Sequence, residues 1–178
     1  MSEAFRGEFN QKVDSKARVS IPAAFRRILE AGDPDFNPDL GKEARAKFVL
    51  VYGGDKREFL ECYTVAEMRE LEKQIVAMPK GTKERRILER NMITLTVTLE
   101  IDSDGRIVLP SKARDKIELT ADLLKDGVET VFAGTLDTFQ IWRADTFEAA
   151  ISRQAEEEIE ELKGGADILS LLPPRPAA

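Results

Sequence analysis

The chain repeats itself. Residues 14–26 read DSKARVSIPAAFR and residues 102–114 read DSDGRIVLPSKAR. At this offset Asp14 answers Asp102, Ser15 answers Ser103, Arg18 answers Arg106, Pro22 answers Pro110 and Arg26 answers Arg114. Val19 and Ile21 face Ile107 and Leu109 as apolar pairs. The likeness continues downstream, where FVLVYG then LECY in the first half matches VFAG then FQIW in the second. Each half next enters a helix through a capping-box pattern, Thr64 to Glu67 and Asp145 to Glu148, in which a side-chain oxygen and a glutamate satisfy free backbone N–H groups in turn. The chain's 178 residues are enough for one domain of ordinary size or for two small intertwined ones, and the duplication is the feature any fold for it must accommodate.

Each copy reads as strand, turn, strand, short helix, strand pair, helix, which makes the chain α+β. Residues 93–101 (ITLTVTLEI) alternate apolar and polar, the mark of a strand with one buried face. The turn that follows, Asp102 to Gly105, is built of turn-forming residues, and Pro110 suits the first position of a helix. Val65, Met68, Leu71 and Ile75 fall on one helix face that stops at Pro79. A second helix is predicted over 82–92. Residues 31–46, rich in Asp, Pro and Gly, read as a surface loop. A third helix is predicted from Asp145 to Gly164 and Gly165, followed by a mobile tail.

Several classes of function are excluded by composition. The chain has no histidine, which removes Ser-His and Cys-His nucleophile pairs and histidine metal sites. It has no glycine-rich phosphate loop and no CxxC pair, and no cofactor or enzyme activity is expected. Cys62 is the single cysteine and sits in the strand-like run FLECY, where it reads as a core thiol. Neither a membrane span nor a secretory signal is expected, which points to the cytoplasm. The net charge of −6 argues against a nucleic-acid partner only until its distribution is seen. Residues 1–29 hold six Lys/Arg against three Asp/Glu, and residues 80–118 hold nine against seven. The negative charge gathers in residues 119–178, with twelve Asp/Glu against five Lys/Arg. The local field governs phosphate attraction, since charges more than about 10 Å apart are screened at ordinary salt.

The start of the chain, FRGEF followed by DSKARVSIPAAFR, resembles that of MraZ proteins, as does the second Asp-x-x-x-Arg copy with the Phe-x-x-Trp strand after it. The resemblance covers about residues 5–150. It implies tandem AbrB-like swapped-hairpin modules forming one pseudo-two-fold β-barrel with connecting helices. The implied domains are a first SpoVT-AbrB module at 5–66, linking helices at 67–92, a second module at 93–148, and an acidic helix with a tail at 149–178. It also implies a nucleoid-associated transcription regulator, in ring-shaped homo-oligomers, that acts on direct repeats of double-stranded DNA ahead of the division and cell-wall gene cluster, as a repressor in the first instance. Neither a membrane nor a small molecule enters that picture. The alternative is a protein-binding AbrB-like module of the antitoxin type, with no specific DNA recognition. The sequence departs from the family at Ala17, where glycine is usual and Gly105 keeps it. If that position needs a positive φ, alanine costs about 1 kcal/mol or shifts the turn. The 31–46 loop is also long, and the acidic tail after Ile151 is variable.

Asp14 and Asp102 are expected to hold the two turns through backbone N–H groups, with Gly105 completing the second. That leaves Lys16 and Arg18 near a rigid tip. Arginine's planar fork fits guanine O6 and N7, and lysine neutralises phosphate as a point charge. Arg18 is therefore the expected base reader, with Lys16 on phosphate. Arg106 is expected to contact DNA more weakly, since its turn carries Asp102 and Asp104 and no lysine. Lys12, Arg26 and Arg114 are candidate phosphate contacts, with Arg6, Arg27 and Lys112 behind them. An Arg four residues after an Asp is also consistent with a plain surface ion pair. Tyr63, Trp142 and Phe147 are read as packing residues in preference to stacking platforms.

Overall fold

In the computed structural model, residues 3–162 and 164–178 are described. The chain divides into two units, residues 1–144 and 145–178. Among the described residues the first holds eight strands. Six form one antiparallel sheet in the order β1 (Glu8–Val13), β7 (Val128–Gly134), β8 (Thr138–Arg143), β4 (Leu60–Thr64), β3 (Lys47–Val51), β5 (Thr96–Glu100). The other two, β2 (Arg18–Ser20) and β6 (Arg106–Val108), pair only with each other.

Strand pairing runs between the copies. β1 of the first copy lies on β7 of the second, β5 of the second lies on β3 of the first, and β2 meets β6. The chain α+β reading holds, but the expected closed barrel does not form. The sheet ends at β1 and β5. The two strands that would carry it round are three residues long, and Pro22 and Pro110 follow close behind them, where the backbone turns into α1 (Ala23–Ala31) and α4 (Ser111–Lys116).

The shared core sits between the sheet and α1. Phe139 is fully buried and its ring centroid lies 5.2 Å from Phe5, 4.9 Å from Phe25, 5.7 Å from Phe132 and 6.2 Å from Phe48. The five rings come from both copies, so neither copy owns the core. Val19, Ile21, Ile107 and Leu109, the apolar positions of the repeated motif, are all buried in the same cluster. A smaller cluster of Val51, Met68, Ile75 and Met92 seats α2 (Val65–Val76) on the far side. Cys62 is buried, and burial pushes its thiol pKa well up, as suits a core thiol.

The Thr64 cap forms as expected, its hydroxyl accepting from the Glu67 N–H at 3.0 Å. The last helix, α6 (Ala144–Glu161), begins one residue early, which puts Asp145 inside its first turn instead of before it. The predicted strand at 93–101 is shortened. After α3 (Lys83–Leu88) the helix widens into a π turn, Glu89–Thr94, and the strand starts only at Thr96. Asn91 explains the widening: its side chain accepts from the Gly54 N–H at 2.9 Å, while its backbone carbonyl packs against Gly53. The 31–46 loop carries a short 3-10 helix, Pro38–Glu43, and is tied down by buried Asp33, which accepts from the Asp35 and Lys47 N–H groups.

In the second unit, the chain leaves α6 through Gly164 and Gly165, both at positive φ. Asp167 caps a 3-10 turn, Ile168–Leu171, that faces Gln154, Glu157 and Glu161 across a shallow groove. No helix among the described residues is long and apolar enough to cross a membrane.

Candidate nucleic-acid interface

The repeated motif builds two near-identical turns. Asp14 Oδ1 accepts from the N–H groups of Lys16 and Arg18, each at 2.9 Å. Asp102 Oδ1 accepts in the same way from Asp104 and Arg106, each at 2.9 Å. Ala17 stands at φ 60° and Gly105 at φ 76°, so the position does need the left-handed region. The alanine does not shift the turn: the Ala17 N–H still donates to the Asp14 carbonyl at 2.9 Å, as Gly105 does to Asp102 at 3.0 Å. The cost is strain alone. Ala17→Gly is accordingly expected to stabilise the chain by about 0.5–1 kcal/mol, glycine's extra unfolded freedom offsetting part of the relief. Urea unfolding checks this, and a loss of stability would mean that burial of the Ala17 methyl outweighs the strain.

The turns are locked to each other. The Leu109 N–H donates to the Ala17 carbonyl at 2.8 Å, and the Ile21 N–H donates to the Gly105 carbonyl at 2.9 Å. Between these bonds lies the β2–β6 ribbon, with Arg18 opposite Val108 and Ser20 opposite Arg106. Val19 and Ile107 point into the core, and the other four face outward. Arg18 and Arg106 are thus diagonal neighbours on one exposed face, a relation that normally spaces Cα atoms by about 7–8 Å.

The two arginines are held differently. Arg18 Nε donates to Asp14 Oδ2 at 2.8 Å, and among the described residues its two terminal nitrogens meet no acceptor. The fork that recognises guanine or phosphate stays open. Arg106 lies 3.7 Å from Asp102 through Nε, and one terminal nitrogen donates to Asp104 at 3.0 Å. Its Nε is buried with no hydrogen-bond partner. The residue that occupies Arg106 is Asp104, the counterpart of Lys16; Lys16 is exposed and, among the described residues, meets no carboxylate.

At Asp14, partial burial pushes the pKa up, but hydrogen bonds from the Arg18 N–H, the Arg18 guanidinium and the Lys16 N–H outweigh it and hold the carboxyl below its ordinary range. A depressed carboxyl stabilises the fold above its unfolded pKa, and that contribution is lost as pH falls through the folded one. The first turn is therefore expected to loosen only in acid below the ordinary aspartate range. An NMR titration of the Asp14 carboxyl checks this; an ordinary or raised midpoint would contradict it.

The remaining cations are not gathered on the ribbon. Arg26 is half-buried and its guanidinium lies against Gly105, where an added Cβ would come within 1.5 Å of a terminal nitrogen. It braces the other copy's turn from behind. Arg114 is half-buried too, with its Nε lacking a partner. Lys12 is on β1, its stem folded over Gly127. Trp142 packs against Phe59 with centroids 4.8 Å apart, and Tyr63 is half-buried with its hydroxyl donating to Glu61. Val108 was not singled out by the sequence reading: it is 57% exposed at the end of β6, opposite Arg18. The signal was available, because the middle residue of an apolar triplet in a strand faces away from its neighbours.

Residues 92–164 match the family described as "MraZ protein, putative antitoxin-like". The transcriptional regulator MraZ of Cereibacter sphaeroides is 60% identical over 172 residues, 97% of each chain. The chain belongs to the MraZ family. The MraZ regulator of Ruegeria pomeroyi is 43% identical over 176 residues, 97% of this chain and 96% of its own. That of Caldanaerobacter subterraneus is 30% identical over 156 residues, 88% and 92% of the two chains. The match to these MraZ relatives therefore runs through both copies of the motif, well beyond the segment that the family description covers.

Proposed function

We propose that the protein is a DNA-binding transcription regulator that reads double-stranded DNA with the β2–β6 ribbon. The observation that carries this reading is the open guanidinium fork of Arg18 on the outer face of a rigid two-stranded ribbon. A ribbon of this kind fits the major groove, about 12 Å wide, where an arginine can take guanine O6 and N7 together. The relatives' printed names, transcriptional regulator MraZ, point the same way. Arg18 is the base reader, with Val108 beside it for apolar base-edge contact. Lys16 neutralises phosphate at the tip. Arg106 reads the adjoining step only when Asp104 releases it. Arg26 and Arg114 support the turns, and Lys12 contributes to the field on the β1 side. The two intertwined copies act as two AbrB-like modules, 5–66 and 93–148, joined by the helices at 67–92. Each ribbon makes few base contacts. Several copies in a ring, set on direct repeats in the promoter of the division and cell-wall cluster, gain affinity through effective concentration, by about 10²–10⁴-fold. The setting is the nucleoid and the outcome repression.

The asymmetry between Lys16 and Asp104 supplies the test. Asp104→Lys removes the carboxylate that holds Arg106 and adds a cation at the equivalent tip. Affinity for promoter DNA is expected to rise about tenfold and the slope of log K against log salt to steepen by about one. Lys16→Asp is expected to do the reverse. If neither change moves binding of a wild-type chain that does bind DNA, the ribbon is not the interface. If the wild type shows no binding, the antitoxin-type protein-binding reading takes its place.

A further inference from the structure

Asp104 is the residue that occupies Arg106, and its hold is slight. Its carboxylate accepts from one terminal nitrogen of the arginine at 3.0 Å, and its side chain is 69% exposed. An exposed pair of this kind holds weakly, because water and salt compete for both charges. Arg106 is the more confined partner: its Nε is buried, 3.7 Å from Asp102. The aspartate is therefore the group that can move. A phosphate arriving at the ribbon pushes it to do so, since like charges repel and both compete for the same guanidinium. Once displaced, the carboxylate needs a second cation within reach.

The 31–46 loop brings one. The loop and the second turn line one groove together, with Lys42 from the loop, Asp102 and Asp104 from the turn, and Arg26 and Glu30 from α1. Arg26 is already placed, its guanidinium against Gly105. Lys42 is exposed, and among the described residues it meets neither Glu30 nor any other carboxylate. The loop that carries it is fastened at both ends. Phe36 packs against the core, and Asp33 accepts from the Asp35 and Lys47 N–H groups. The Ala46 carbonyl accepts from the Ile101 N–H at 2.9 Å, one residue before Asp102. The backbone of the loop is thus tied to the base of the second turn, while the four-carbon stem of Lys42 leaves its charge able to swing across the groove. The first turn carries Lys16 where the second carries Asp104, so its arginine has no such carboxylate to shed.

We infer that Lys42 is a positioning residue for the second turn: it takes the Asp104 carboxylate when DNA binds, and so opens the fork of Arg106. This rests on the ribbon reading and names the release that Arg106 requires there. Lys42 acts through Asp104 and not on the DNA itself.

The test is a mutant cycle read by promoter binding over a salt series. Lys42→Ala is expected to weaken binding about three- to tenfold and to flatten the slope of log K against log salt by about one, as Arg106 drops out of the contact. Lys42→Arg keeps the charge and is expected to bind as the wild type does. The loss from Lys42→Ala is expected to shrink to within about twofold when Arg106→Ala removes the group to be released, and again when Asp104→Asn removes the charge to be held. The urea curve of Lys42→Ala should overlay that of the wild type. A loss that persists in either background means that Lys42 meets phosphate directly or supports the fold, and overturns the inference; so does a Lys42→Ala variant that binds as the wild type does. The two readings fail separately. A wild type without promoter preference removes the ribbon reading, and this inference with it. A wild type that prefers its promoter, in a cycle without coupling, removes this inference alone.

Discussion

Phe139→Ala should cost about 3–5 kcal/mol of stability, the range found when a buried phenylalanine is cut back and its cavity cannot collapse. The collapse is blocked here by the neighbours. Phe25 on α1, Phe48 on β3, Phe132 on β7 and Phe5 ahead of β1 meet the Phe139 ring, with centroids 4.9–6.2 Å away. Those elements come from both halves of the duplicated chain, so no single helix or strand can slide in to fill the space. A thermal melt should fall by about 10 °C. Phe139→Leu, which keeps most of the volume, should recover more than half of the loss. A loss below about 1 kcal/mol for the alanine variant would mean that the two halves do not depend on a common core.

The second large effect concerns recognition. Arg18→Ala is expected to weaken promoter binding by about 1–3 kcal/mol for each ribbon engaged, or roughly tenfold to more than a hundredfold. Where several ribbons bind together the losses multiply, and specific binding should vanish at moderate salt. The fold should barely notice. Arg18 is about one-third exposed in its side chain and its ion pair with Asp14 is of the partly exposed kind that contributes little. Asp14 keeps its two backbone N–H donors in the variant, so the turn survives. Arg106→Ala should cost less in binding, because Asp104 already occupies that guanidinium. Parallel titrations of the two variants with labelled duplex, next to their urea curves, measure this. Equal losses for Arg18→Ala and Arg106→Ala would contradict the asymmetry. A large stability loss for Arg18→Ala would recast Arg18 as a structural residue.

Much of this architecture could be read from the chain alone. The duplication shows as one motif written twice, and the two aspartate-held turns and the Thr64 cap each depend on residues within a few positions of one another, where local hydrogen bonds are written in short motifs. The positive φ at Ala17 and Gly105 was raised by the family resemblance, as a condition, and became definite only with the folded turn. What escaped was set by long-range pairing. That Arg18 lies diagonal to Arg106 follows from the β2–β6 register, which joins residues about 88 apart and is fixed by the burial of Val19 and Ile107, not by either segment's own pattern. The open sheet escaped for a related cause: whether a sheet closes depends on strand length and tilt, and three-residue strands followed by prolines do not carry it round. The π turn at Glu89–Thr94 cut short a cleanly alternating strand because Asn91 is held by a glycine pair 37 or more residues earlier. Arg26 looked like a surface cation in sequence, and became a brace only when the fold brought Gly105 against it.

The most direct test of the central claim is a salt series. Wild-type protein is titrated with duplex DNA from ahead of its own gene and with a scrambled duplex of equal length. A ribbon reader should prefer the promoter by about 10³-fold or more at physiological salt, with log K falling linearly against log salt for both duplexes. Equal affinity for the two at every salt concentration would contradict sequence reading by the ribbon, and no measurable affinity for either would remove DNA as the ligand.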